Sequence, residues 1–112
     1  MAVITLLEYI SHNKFPVTLV NDHFTLNEII IEHYEFTSNN QLWILSNDSH
    51  EITLNLSDFK NIQFDACISS ATNSKEMIEI IRNLEKDTPY NAYLMNSNKK
   101  MIVGFYRIGN YN

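Results

Sequence analysis

Apolar residues recur at helical spacing without a competing strand signal in two stretches of this chain, and a third, where Leu26, Ile29, Ile30 and His33 would share a helical face, is ambiguous. In the first stretch Val3, Ile4, Leu7 and Ile10 share one side of a helix, and Glu8 faces His12 one turn on. Asn13 and Pro16 stop it, so residues 2–12 are predicted helical. In the second, Asn73-Ser74-Lys75-Glu76 has the form of a capping box, and Met77, Ile78, Ile80, Ile81 and Leu84 follow at helical spacing. Lys86 would complement the dipole near its end, and Pro89 terminates it. Two helices are too few to supply the crossovers of a parallel sheet, so the strands around them must pair antiparallel.

Those strands are short and closed by Asn, Asp and Ser. Val17-Thr18-Leu19-Val20 is a β-branched run that ends at Asn21-Asp22. Thr25-Leu26-Asn27-Glu28 also fits a capping box, and a helix there would stack Glu28, Glu32 and Glu35 along one edge. Three consecutive isoleucines, with Tyr34, Phe36 and Thr37, favour extended backbone instead, and residues 28–37 are predicted as a strand. Ser38-Asn39-Asn40-Gln41 then turns the chain into Leu42-Trp43-Ile44-Leu45. After the turn Asn47-Asp48-Ser49-His50, Ile52, Leu54 and Leu56 alternate with Glu51, Thr53 and Asn55, the pattern of a half-buried strand. Ile62, Phe64 and Asp65 mark a further short strand. Tyr90 to Met95 and Lys99 to Ile108 read as a closing hairpin around Asn96-Ser97-Asn98. The expected fold is α+β: a single domain over residues 1–112, with a mainly antiparallel meander of about 5–7 strands and two helices packed on it.

An apolar share of 45% over 112 residues is enough to bury a core without staples. The single Cys67 excludes an internal disulfide. The N-terminal residues lack a basic leader, and no apolar run approaches the ~18 residues of a membrane span. A cytoplasmic protein is expected.

Little in the sequence points to chemistry. Cys67, between Ala66 and Ile68, has no neighbouring cation or base to activate it and reads as a packed small hydrophobe. His33 and Glu35, with His50 or Glu51 across a hairpin, could in principle meet a metal, but no pair of His12, His23, His33 and His50 has the close spacing of zinc motifs. Glu32 and Glu51 could face each other across strands for acid–base work, where like charges destabilise. Gly104 and Gly109 stand apart and build no phosphate loop. No enzyme activity, cofactor or metal is expected.

Charge is the remaining signal. Eight acids and one base, Lys14, occupy the first 59 residues, whereas seven bases face five acids thereafter, for a net charge of −5. AT-rich coding accounts for the many asparagines and isoleucines, but it should add lysines rather than remove them. An acidic solvated surface is the simple explanation. The sharper one is a binding face in which Glu28, Glu32, Glu35, Asp48 and Glu51 surround Trp43, an anchor of the kind enriched at interfaces unless it belongs to the core. The expected function is that of a small non-catalytic binding protein that occludes the cleft of a basic protein partner, a toxin or a nucleic-acid-processing enzyme. Its class would be that of an immunity protein, an antitoxin or a phage-encoded inhibitor of a defence enzyme. Two alternatives remain: a nucleic-acid-binding module built on Lys99, Lys100 and Arg107 with Tyr90, Tyr93, Phe105 and Tyr106, and a self-associating structural subunit.

Overall fold

The computed structural model describes residues 2–37, 40–59, 61–64, 69–96 and 99–108. Cys67, Lys60, Asp65, Gly109 and the turn residues Ser38, Asn39, Ser97 and Asn98 lie outside the described residues, and so do the expectations placed on them.

Helix α1 (Ala2–His12) buries Val3, Leu6, Leu7 and Ile10 on one side. It stops where the Asn13 side-chain amide donates to the Tyr9 carbonyl at 2.8 Å and Lys14 turns left-handed at φ 54°. Helix α2 (Ser74–Arg82) opens on Asn73, whose Oδ1 accepts the Glu76 N–H at 2.9 Å. The Glu76 carboxylate reaches back to the Thr72 hydroxyl at 2.8 Å, and this holds its carboxyl below the ordinary range. The helix ends at Arg82, short of the apolar repeat. Leu84 is buried beyond it, and Lys86 lies past the terminus it was expected to neutralise.

Among the described residues the strands form two antiparallel sheets. The large sheet contains β1 (Val17–Val20), β2 (Thr25–Ile29), β6 (Asn61–Phe64), β7 (Ser69–Ala71), β8 (Thr88–Asn96) and β9 (Lys99–Arg107), in the order β2-β1-β9-β8-β6-β7. The small sheet is the meander β3 (Ile31–Thr37), β4 (Gln41–Ser46) and β5 (Glu51–Asn55). The strand expected over 28–37 is therefore two strands belonging to two sheets. Glu28 adopts φ 50°, and the β1–β2 register slips between Val17 and Leu19. At Ile30 the chain changes sheets. Its N–H donates to Asn47 Oδ1 at 3.1 Å, and its carbonyl accepts the Asn47 N–H at 2.9 Å.

One apolar core joins everything. The large sheet supplies Val17, Leu19, Phe64, Leu94, Val103 and Phe105, and the small sheet supplies Ile31, Leu42, Ile44, Ile52 and Leu54. Helix α1 touches α2, β3 and β6, so it lies where the two sheets converge. Each sheet keeps its other face toward solvent, as the alternation along β5 requires.

The β4–β5 turn shows how the chain manages with few glycines. The Ser49 N–H donates to the Ser46 carbonyl at 3.1 Å, the Ser46 N–H donates to the His50 carbonyl at 2.9 Å, and Ser49 sits at φ 68°. This left-handed position is normally a glycine in three-residue hairpin loops. An L side chain there costs about 1–2 kcal/mol, against about 0.5–1 kcal/mol of extra entropy lost by glycine. Ser49→Gly should therefore raise stability by up to about 1 kcal/mol, read as a higher urea midpoint at unchanged slope.

Candidate functional site

The open face of the small sheet is built by register. His33 pairs with Leu45, Glu35 with Trp43 and Thr37 with Gln41, while Glu51 pairs with Leu45, Thr53 with Trp43 and Asn55 with Gln41. Because side chains alternate along each strand, these nine residues share the solvent side while Leu42, Ile44, Ile52 and Leu54 face the core. No lysine or arginine stands among the nine.

Trp43 is the centre of this face. It is half-buried, and its place is on the open side of the sheet rather than in the core. Its indole N–H donates to Glu51 Oε1 at 3.2 Å. The His33 ring meets it edge-on with centroids 5.8 Å apart, and His33 Nε2 lies 3.0 Å from Glu35 Oε1. A carboxylate, an imidazole, an indole and a second carboxylate thus run across three strands. The polar contacts restrict the rotamers of residues that are themselves exposed, so an incoming ligand meets an ordered surface.

Asp48 extends the acidity to one end of the face. It accepts from the Ser46 hydroxyl and from His50 Nδ1, the latter at 2.9 Å. Chiefly the Ser46 hydroxyl, and then His50, hold the Asp48 carboxyl down at about 2 from an ordinary 3.8. The carboxylate stays charged through any mildly acidic medium. Since its folded value is depressed, its contribution to stability is complete above about pH 4 and disappears as pH falls through about 2. In thermal melts, the midpoint gap between the wild type and Asp48→Asn should close over that interval. A nuclear magnetic resonance titration of Ser46→Ala should show Asp48 moving up toward 3.8.

Two of the six expected contact residues fall elsewhere. Glu32, at the irregular start of β3, lies 3.9 Å from Lys14 Nζ beyond the end of α1, so a cation already accompanies it. Glu28 belongs to the large sheet. Its N–H donates to Thr18 Oγ1 at 3.1 Å, and it lines a shallow trough of about 380 Å³ with Thr18, Asn91, Gly104 and Tyr106. Glu32 and Glu51 do not face each other either, because β4 runs between their strands. His33, left out of the expected contact set, lies on the same face, against Trp43 and Glu35. Its signal was the two-residue spacing to Glu35, which puts both on one side of a strand.

The basic-aromatic hairpin divides between two faces. Tyr90 and Phe105 are buried, and Arg107 has its Nε inside, near the Tyr9 hydroxyl that burial pushes up. Lys100 remains on the open face of the large sheet, 4.8 Å over the Tyr93 ring, with Tyr106 exposed on the same side; the side chain of Lys99 lies outside the described set. Among the described residues no group of three metal-ligating side chains converges, and no helix is long and apolar enough to cross a membrane. Comparison of the chain with known protein families, with curated proteins and with solved structures finds no match.

Proposed function

We propose that this chain is a non-catalytic binding protein that docks the open face of its small sheet onto a cationic protein surface and occludes it. The observation that carries this reading is Trp43, held by Glu51 and bordered by His33 and Glu35 on an exposed face without a lysine or arginine. Tryptophan anchors in such settings dominate binding energy, and surrounding carboxylates accelerate encounter with a basic partner. Glu35, Asp48 and Glu51 would take the positions that phosphates occupy in a nuclease or another nucleic-acid-processing enzyme. Use as an immunity protein, an antitoxin or a phage-encoded inhibitor follows from that chemistry, in the cytoplasm where such targets act.

The test is capture from host lysate with the tagged chain at low and high salt. The reading expects one stoichiometric basic protein, released by salt and absent when Glu35 and Glu51 are both lysine. A second reading rests on Lys100 over Tyr93, with Tyr106 exposed farther along the same face of β9, as a small stacking surface for single-stranded nucleic acid. Recovery of nucleic acid with loss in Tyr93→Ala would favour it. Recovery of the chain alone, with a dimer mass by light scattering, would favour self-association.

A further inference from the structure

The two sheets leave a notch between their free margins. Strand β2 is outermost in the large sheet and β5 in the small one, and among the described residues each is paired on one side only. Between them lies an opening of about 260 Å³, lined by Phe24 and Leu26 on one wall and by His50, Glu51, Ile52 and Thr53 on the other. Phe24 and Leu26 are half-buried against the core and Ile52 is buried, so the floor is apolar. Its rim is acidic, with Glu51 at the start of β5 and Asp48 joined to His50 just before it.

An uncovered strand edge is a template for another strand, and proteins usually blunt it with lysine, proline, a bulge or an inward charge. Strand β5, Glu51-Ile52-Thr53-Leu54-Asn55, has no lysine, proline or inward charge and keeps unbroken register with β4. The opposite margin, β3, is partly occupied, because Lys14 Nζ donates to the Ile31 carbonyl at 3.4 Å.

We infer that β5 accepts an extended segment of the basic partner as a fourth strand of the small sheet, a segment in which cationic and apolar residues alternate. This rests on the reading proposed above and deepens it, since it specifies how the partner docks and what pattern its docking segment carries. The pattern follows from the pleat. Ile52 and Leu54 face inward while Glu51, Thr53 and Asn55 face out, and a strand laid alongside keeps the same two sides. Inward side chains of the added strand enter the notch against Phe24, Leu26 and Ile52. Outward ones come beside Glu51, where a cation is attracted and a carboxylate is repelled. Main-chain hydrogen bonds provide affinity in such additions, and alternate side chains provide selectivity. A second copy of this chain is the poorer occupant, because it brings another net −5 and another Glu51 to the same rim.

The probe is a short synthetic peptide of alternating lysine and valine, compared with its glutamate–valine counterpart on the full chain. The lysine peptide should bind at least about tenfold more tightly than the glutamate peptide. Amide hydrogen exchange should slow within Glu51–Asn55 when it binds. Leu26→Lys, which sets a cation in the notch, should weaken the lysine peptide about tenfold. Circular dichroism checks that this variant folds; if it does not, the exchange pattern of the unaltered chain still decides. Binding that leaves exchange in Glu51–Asn55 unchanged but is lost in Glu35→Lys overturns strand addition and spares the docking face. Absence of binding at millimolar peptide overturns strand addition, and the lysate capture then judges the face by itself. Equal or tighter binding of the glutamate peptide overturns both.

Discussion

Replacing Glu35 and Glu51 together by lysine lowers affinity for the basic partner at least about a hundredfold, close to 2.7 kcal/mol, while the fold persists. The size follows from what the two groups do. In the proposed complex each carboxylate faces a cation of the partner, and reversal converts an attraction into a like-charge contact that the partner must desolvate. Glu51 also accepts the Trp43 indole N–H at 3.2 Å, so its loss frees the anchor to sample other rotamers. Both side chains are exposed, and the expected change in stability stays within about 0.5–1 kcal/mol. Surface plasmon resonance against the captured partner, alongside urea melts, reads the two quantities separately. Glu32→Lys should cost less, because Glu32 already has Lys14 3.9 Å away. Glu79→Lys, on α2, should cost nothing. Equal losses in all three variants would mean that overall charge, not this face, governs binding.

The largest expected effect on stability is at Phe64. It is 1% exposed on β6, and its ring meets Tyr90 edge-on at 6.3 Å and Phe105 at 6.4 Å. Phe64→Ala removes an aromatic ring from the interior of the large sheet, where strands on both sides prevent collapse around the void. The cost is about 3–5 kcal/mol, a large share of the ~5–15 kcal/mol that holds an ordinary domain folded. The urea midpoint should fall steeply at constant slope. Phe36→Ala makes the contrast. That ring is 50% exposed near the end of β3, and its removal should stay within about 0.5 kcal/mol.

Both helices and β5 were legible because their signals are local: a cap at Asn73, a stop at Asn13, and alternation through Glu51–Asn55. Strand β2 was hidden for a physical reason. Thr25 to Glu28 carries the form of a helix cap, and Glu28 is left-handed, so no clean alternation survives. Strand β7 is three residues long, too short for any period to register. The division into two sheets was beyond local reading, because β1 finds β9 across most of the chain and tertiary packing alone selects that partner. For the site, the sequence placed Trp43 and Glu35 on neighbouring strands of one hairpin and left Trp43 open between core and interface. It did not reveal which side of β4 faces water, because that is set by how the whole small sheet packs on the shared core. Glu28 and Glu32 were grouped with the others by proximity in sequence, but the crossing at Ile30 leaves Glu28 in the large sheet, and Glu32 sits at the irregular start of β3 beside Lys14.

That crossing also orders events during synthesis. The small sheet is assembled from consecutive residues, Ile31 to Asn55, and each of its pairings spans a short loop. The large sheet waits for its last strand, since β9 lies between β1 and β8. On a ribosome, then, the tryptophan face can take shape while most of the large sheet is still unmade. Through that interval Ile44, Ile52 and Leu54 have only α1 and the first strands to shelter them. A nascent chain whose small sheet is acidic on one side and bare hydrocarbon on the other has its greatest exposure to misassociation just before β9 emerges.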